Sequence, residues 1–214
     1  MLPHFVPVGT SVESFFERVL PEAHRALVPA DASAREYLVA VRMDDSPRAS
    51  TSTSDAAIYQ YAIRGHDISV NRGNANAAAH LWLAGDRASF EFFLEDWSGP
   101  RRFAPSFVPS EGVRLITDPR VLKRIVQATG TIELELTDFG PAALHVSAAG
   151  AKKHELRESA ADAVIGTRVS VFEQLLAGNL GPDEAIVDSH VTVRGKKLVA
   201  MQFAFALAPF FPKK

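Results

Sequence analysis

The sequence predicts an α+β fold of two similar units, each a mostly antiparallel sheet covered on one face by helices. Three observations carry this expectation. Short alternating stretches come in groups and are followed by grouped amphipathic helices, whereas a doubly wound parallel sheet would alternate them one for one. The same order of elements runs through residues 1–129 and again through residues 130–214. Gly85-Asp86-Arg87-Ala88-Ser89 and Gly166-Thr167-Arg168-Val169-Ser170 share Gly, Arg and Ser at the same spacing, each ahead of an amphipathic helix, which marks an internal repeat.

The elements follow in order. Thr10 and Glu13 have the spacing of a capping box, and Val12, Phe15, Phe16, Val19 and Leu20 then share one helical face. Pro21 is expected to bend or end that helix. Residues 36–43 read as a strand, followed by a Ser/Thr/Asp-rich loop over 44–55. Residues 58–63 and 68–70 read as two strands joined by a turn at Gly65. A strand over 79–84 leads into a helix starting near Asp86, with Phe90, Phe93, Leu94 and Trp97 on one face. Residues 113–116 read as a short strand, and Asp118-Pro119 opens a helix carrying Val121, Leu122, Ile125 and Val126. In the second unit, strands are expected at 131–136, 142–148, 153–156 and 163–165. A helix bearing Val171, Phe172, Leu175 and Leu176 stops at Gly178, a strand covers 191–193, Gly195 turns, and a last helix covers 198–207.

Composition sets outer bounds. A chain of 214 residues, 47% hydrophobic and 22% charged, buries a large core without staples. It has no cysteine, which excludes disulfides and thiolate-held metals and fits a cytoplasmic protein. The start, Met1-Leu2-Pro3-His4, lacks the pattern of a signal peptide, and no window reaches the length of a membrane span. With 23 basic and 25 acidic residues and only paired basic clusters such as Lys152-Lys153 and Lys196-Lys197, nucleic acid is not an expected partner. The seven histidines are dispersed, so no metal site is expected, and no nucleotide or nucleophile-elbow motif occurs. No cofactor is expected.

The second half resembles the sterol carrier protein 2 family. The resemblance rests on Gly130-Thr131-Ile132-Glu133-Leu134, on Ala161-Asp162-Ala163-Val164-Ile165 and on Phe172-Glu173-Gln174-Leu175-Leu176-Ala177-Gly178. It continues through Pro182, Ala185-Ile186-Val187 and Val191-Thr192-Val193-Arg194-Gly195 to the final apolar helix. Two positions depart from the family pattern: Ala143-Leu144 stand where a Trp is frequent, and Lys196-Lys197 follow Gly195 where an acidic residue is usual. The resemblance implies an apolar tunnel between sheet and helices for a fatty acid, acyl thioester, sterol or similar lipid. It favours a carrier over an enzyme, and because two stacked units imitate a dimer of single-unit relatives, a monomer or weak homodimer is expected.

The residues chosen to line such a tunnel are Phe172, Leu176, Met201, Phe203, Leu207, Phe210 and Phe211, with Phe90, Phe93 and Trp97 in the first half. Fourteen phenylalanines are more than a core of this size needs, which is why aromatic positions were favoured. The alternative is a cyclase or isomerase that uses the same cavity to shape a reactive substrate, guided by Tyr59, Tyr61, Asp162 or His145. A third reading is a docking module in which one half holds no ligand.

Overall fold

The computed structural model describes residues 6–30, 35–44, 56–73, 79–98, 109–138, 145–150, 161–176 and 178–208. The fold is α+β, and among these residues eight strands form one sheet: β1 (Glu36–Asp44), β2 (Ala57–Arg64), β3 (Asp67–Arg72), β4 (Leu81–Asp86), β5 (Thr131–Leu136), β6 (His145–Gly150), β7 (Ala163–Thr167) and β8 (Thr192–Gly195). Their order across the sheet is β3-β2-β1-β4-β6-β5-β7-β8. Neighbours are antiparallel except β1 with β4 and β5 with β7.

The same arrangement therefore occurs twice along the sheet. In β2-β1-β4 and again in β6-β5-β7, an antiparallel pair is flanked by a strand parallel to its first member. Each parallel strand feeds a helix, α3 (Arg87–Ser98) after β4 and α6 (Val169–Leu176) after β7. The two pentapeptides of the sequence repeat fall on these strand-to-helix junctions. β4 pairs antiparallel with β6, from Leu81↔Gly150 to Gly85↔Val146, so both sets share a single sheet.

The first helix forms as its apolar spacing predicts, with Val12, Phe15, Phe16, Val19 and Leu20 all buried. Its cap is Ser11, whose hydroxyl accepts the Ser14 N–H, while Thr10 turns back to the Pro7 carbonyl. Pro21 does not end it. α1 (Val12–Ser14) passes through a π-helical stretch, Phe15–Val19, into α2 (Leu20–Leu27). The Leu20 N–H reaches the Phe15 carbonyl five residues back, and Pro21 has no N–H for the next carbonyl, that of Phe16. The Tyr61 hydroxyl donates to that carbonyl at 2.8 Å. An unbonded buried carbonyl costs roughly 1–3 kcal/mol, so this bond makes the wide turn tolerable and ties the helix to β2. Burial pushes the Tyr61 phenol far up, with Tyr59 adding in the same direction, so it remains a neutral donor.

Two further differences from expectation concern short apolar runs. Residues 113–116 are helical, inside α4 (Pro109–Thr117); a four-residue run has no period of its own, and Pro109 supplies a helix start. α7 (Pro182–Val187) was not anticipated, although Gly181-Pro182 opens it and the Glu184 side chain accepts the Gly181 N–H. The helix α5 (Pro119–Ile125) starts as expected, with Asp118 accepting the Arg120 N–H, and α8 (Lys197–Leu207) closes the order. The expected strand at 153–156 lies outside the described residues.

The main core lies between the helices and one face of the sheet. It joins the buried face of α1 and α2 to Tyr37, Val39, Val41 and Met43 of β1, Tyr59, Tyr61 and Ile63 of β2, and Leu81 of β4. The opposite face is not bare, since Ala40, Ala79 and Trp82 form a second buried cluster there.

One buried group couples this core to pH. His24 on α2 is fully buried, its Nε2 sits 3.1 Å from the Gly65 carbonyl oxygen, and its Nδ1 has no partner among the described residues. Burial strips water from the imidazolium and holds the His24 pKa below its ordinary value, against the pull of the Gly65 carbonyl. Above about pH 6.5 folded and unfolded chains both keep it neutral. Below that the unfolded chain takes the proton first, so stability falls as the pH drops towards the lowered folded pKa. His80 acts in the same sense: burial, with the nearby Arg35 adding to it, holds its pKa below the ordinary value, while its Nδ1 accepts the Leu38 N–H at 3.0 Å. Denaturant titrations at falling pH should show the decline, and His24→Gln, which keeps a donor for Gly65, should flatten it. An unchanged slope would assign the decline to other groups.

Candidate functional site

The helical face of the sheet is filled differently in its two halves. Around β1 and β2 the inward residues are closed over: Tyr37, Val39, Val41, Met43, Tyr59, Tyr61 and Ile63 are each at most 1% exposed. Phe16 stacks on Tyr59 with centroids 5.1 Å apart, and Phe90 meets Phe16 edge-on at 5.2 Å. No apolar side chain of that set is left available.

Around β5, β7 and β8 the equivalent layer is less completely covered, although Leu136 and Ala163 in it are buried. Leu134 pairs with Ile165 and Ile165 with Val193, giving one row across three strands, and all three remain partly exposed. Leu180, Ala185 and Val191 form a small buried cluster against which Ile165, Val193, Val171, Leu175 and Ile186 pack without being fully covered. The walls of this apolar region are therefore α6, α7 and the β7–β8 end of the sheet, with α8 running against α7 and β7.

A polar framework fixes the rim near the start of α8. Asp162 ahead of β7 accepts the Thr131 N–H at 2.9 Å and the Thr131 hydroxyl at 3.1 Å through one oxygen. Its other oxygen takes the Lys196 ammonium at 2.9 Å, and its carbonyl accepts the Lys196 N–H at 2.7 Å. Gln202 of α8 accepts from Thr129. At the opposite end, Asp138 accepts the Val169 N–H at 2.7 Å and caps α6. These bonds hold strand ends and helix starts together, which gives Asp162 a structural task. On the outer face of the sheet Arg194 pairs with Glu135.

Those residues expected to line the tunnel that are described lie in several places. Phe172 lies on α6, partly exposed, beside the open region. Phe203 is 2% exposed and belongs to the main core, with Leu207 packed on it. Met201 is on the other side of α8 and faces solvent. Phe90 packs on the main core and Phe93 lies 6.3 Å from Phe92 along α3. Phe210 and Phe211, and the side chains of Leu176 and Trp97, lie outside the described residues. The groups considered for catalysis are likewise apart: Tyr59 and Tyr61 are in the first-half core, Asp162 is at the α8 rim, and the His145 side chain lies outside the described residues. No group of three His, Asp or Glu side chains suited to a metal occurs among the described residues.

Sequence reading favoured aromatics and passed over the aliphatic row. Leu134 was legible from the alternation of Ile132, Leu134 and Leu136, but Ile165 and Val193 sit in strands too short to show a period. Ile186 was missed with its helix.

This open half is also the part of the chain that comparison recognises. Residues 113–208 match the SCP-2 sterol transfer family. The SCP2-like segment thus begins within α4 and takes in α5, the strands β5 to β8 and α6 to α8. Among solved structures, the sterol carrier protein 2 from Yarrowia lipolytica in its apo form is similar over 45% of this chain and 83% of that one. The identity is 16% and the TM-score 0.31. No curated protein matches the chain.

Proposed function

We propose that the SCP2-like half binds an apolar small molecule, such as a fatty acid, acyl thioester or sterol, against the Leu134, Ile165 and Val193 row beneath α6 and α7. The observation that supports this most is the contrast between halves, the same layer being closed at β1 and β2 and only partly covered along the Leu134, Ile165 and Val193 row. Binding by apolar burial needs no reactive group, because each methylene taken from water contributes about 0.8 kcal/mol. The name of the matched family, sterol transfer, points to the same ligand class. In this reading the first half is a second unit of the same plan whose site has been filled by aromatic side chains. The two units of this reading divide between residues 129 and 130, just ahead of β5.

Titration with a fluorescent fatty acid tests the proposal. The protein should take up the probe, and Ile165→Ala should weaken uptake roughly tenfold or more, since it strips methyl and methylene contacts from the centre of the row. The variant should lose little stability, because Ile165 is only partly buried. A wild-type protein that takes up neither fatty acid nor sterol would overturn the carrier reading.

A further inference from the structure

α8 is apolar on two opposite faces, and only one of them is used by the fold. Phe203 and Ala206 join the main core and Ala200 is buried beside them on the helix, whereas Leu198, Met201 and Phe205 are 68%, 36% and 53% exposed. The spacing i, i+3, i+7 puts these three on one stripe. The helix has no acidic side chain, and Lys196 and Lys197 stand exposed at its start. The ammonium of Lys196 is 70% exposed and pairs with Asp162 across the rim, a surface pair weak enough to be exchanged for anionic headgroups.

We propose that this face of α8 docks the protein on an anionic lipid surface. Apolar side chains on one helical face beside a basic cluster are the pattern of a helix that lies in the headgroup region, where apolar burial and attraction to anionic lipid act together. A second copy of the chain fits less well. The exposed parts of the three side chains amount to on the order of 300 Å², short of the roughly 800 Å² per partner of a stable protein interface. A bilayer imposes no such minimum because it conforms to what is inserted. The proposal rests on the carrier reading for its purpose, since α8 runs against α7 and β7 beside the open row, where cargo would pass to and from the bilayer. Its test does not need a ligand.

The experiment is co-sedimentation of the full chain with phosphatidylcholine vesicles, with and without phosphatidylserine. Binding should require phosphatidylserine and weaken with salt. Leu198→Ser combined with Phe205→Ser should reduce it at least tenfold, and Lys197→Glu by roughly fivefold or more. Both variants should keep the wild-type circular dichroism and fatty-acid uptake in solution. Vesicle binding that is absent in the wild type, or unchanged in the double variant, overturns the proposal. So does a concentration-dependent dimer in sedimentation velocity that the double variant abolishes. Loss of fatty-acid uptake in the wild type with vesicle binding intact would remove the carrier reading and leave the docking surface standing.

Discussion

Replacing Phe203 by Ala should destabilise the whole chain by about 3–5 kcal/mol, the range for removing a buried aromatic ring. Phe203 is 2% exposed and sits on α8, yet the cluster it joins is built mainly from α1, α2 and the strands β1, β2 and β4. The same cluster includes Val121, Leu122 and Ile125 of α5, against which α8 packs, so Phe203 is tied to the core of the first half by way of α5. Both tryptophans, Trp82 and Trp97, belong to the first half, so tryptophan fluorescence reports that half alone. If Phe203 joins the two, urea unfolding followed by fluorescence and by far-UV circular dichroism should move together to lower denaturant. A fluorescence transition that stays at its wild-type midpoint would mean the halves unfold independently and would sink this account. Phe172→Ala offers the contrast, because a partly exposed ring on α6 leaves little cavity behind.

How far the sequence revealed this arrangement depended on the length of each periodic run. Val12 to Leu20 gave a helix because five apolar positions fix a face, and β1 and β2 gave strands because their apolar runs are rich in Val, Ile and Tyr and are bounded by turn residues. Val113 and Ile116 failed because four residues fit either period, and α7 failed because one buried position, Ala185, leaves no stripe to detect. The junctions at Gly85 and Gly166 were legible because a strand-to-helix turn carries its own residues. The open row was not legible, since openness is a property of what three separate strands leave uncovered. Likewise the two faces of α8 read in sequence as one apolar helix, and only burial separates Phe203 from Met201. The Tyr61 bond to the Phe16 carbonyl joins residues 45 apart in sequence and repairs a defect that Pro21 announces but does not locate.

Gly195→Ala should be the second severe substitution, and Gly9→Ala shows why by comparison. The two glycines have nearly the same left-handed backbone, with φ of 80° and 78°. An alanine pays the same conformational penalty at either, about 1 kcal/mol. At Gly9 nothing lies within 4 Å of an added Cβ, so that penalty is the whole effect. At Gly195 the added Cβ would stand 2.5 Å from the Asp162 carbonyl oxygen, which is backbone and cannot rotate aside. Relief requires β8 and β7 to part at the point where the Lys196 N–H meets that same carbonyl at 2.7 Å. Losing that bond and displacing the start of α8 should bring the total to about 3 kcal/mol, counting the stranded buried acceptor. Thermal unfolding of the two variants side by side decides it. Equal losses would mean that the turn absorbs the clash. A much larger loss at Gly195 would establish that the contact of this turn with Asp162, rather than its backbone angle, fixes where α8 begins.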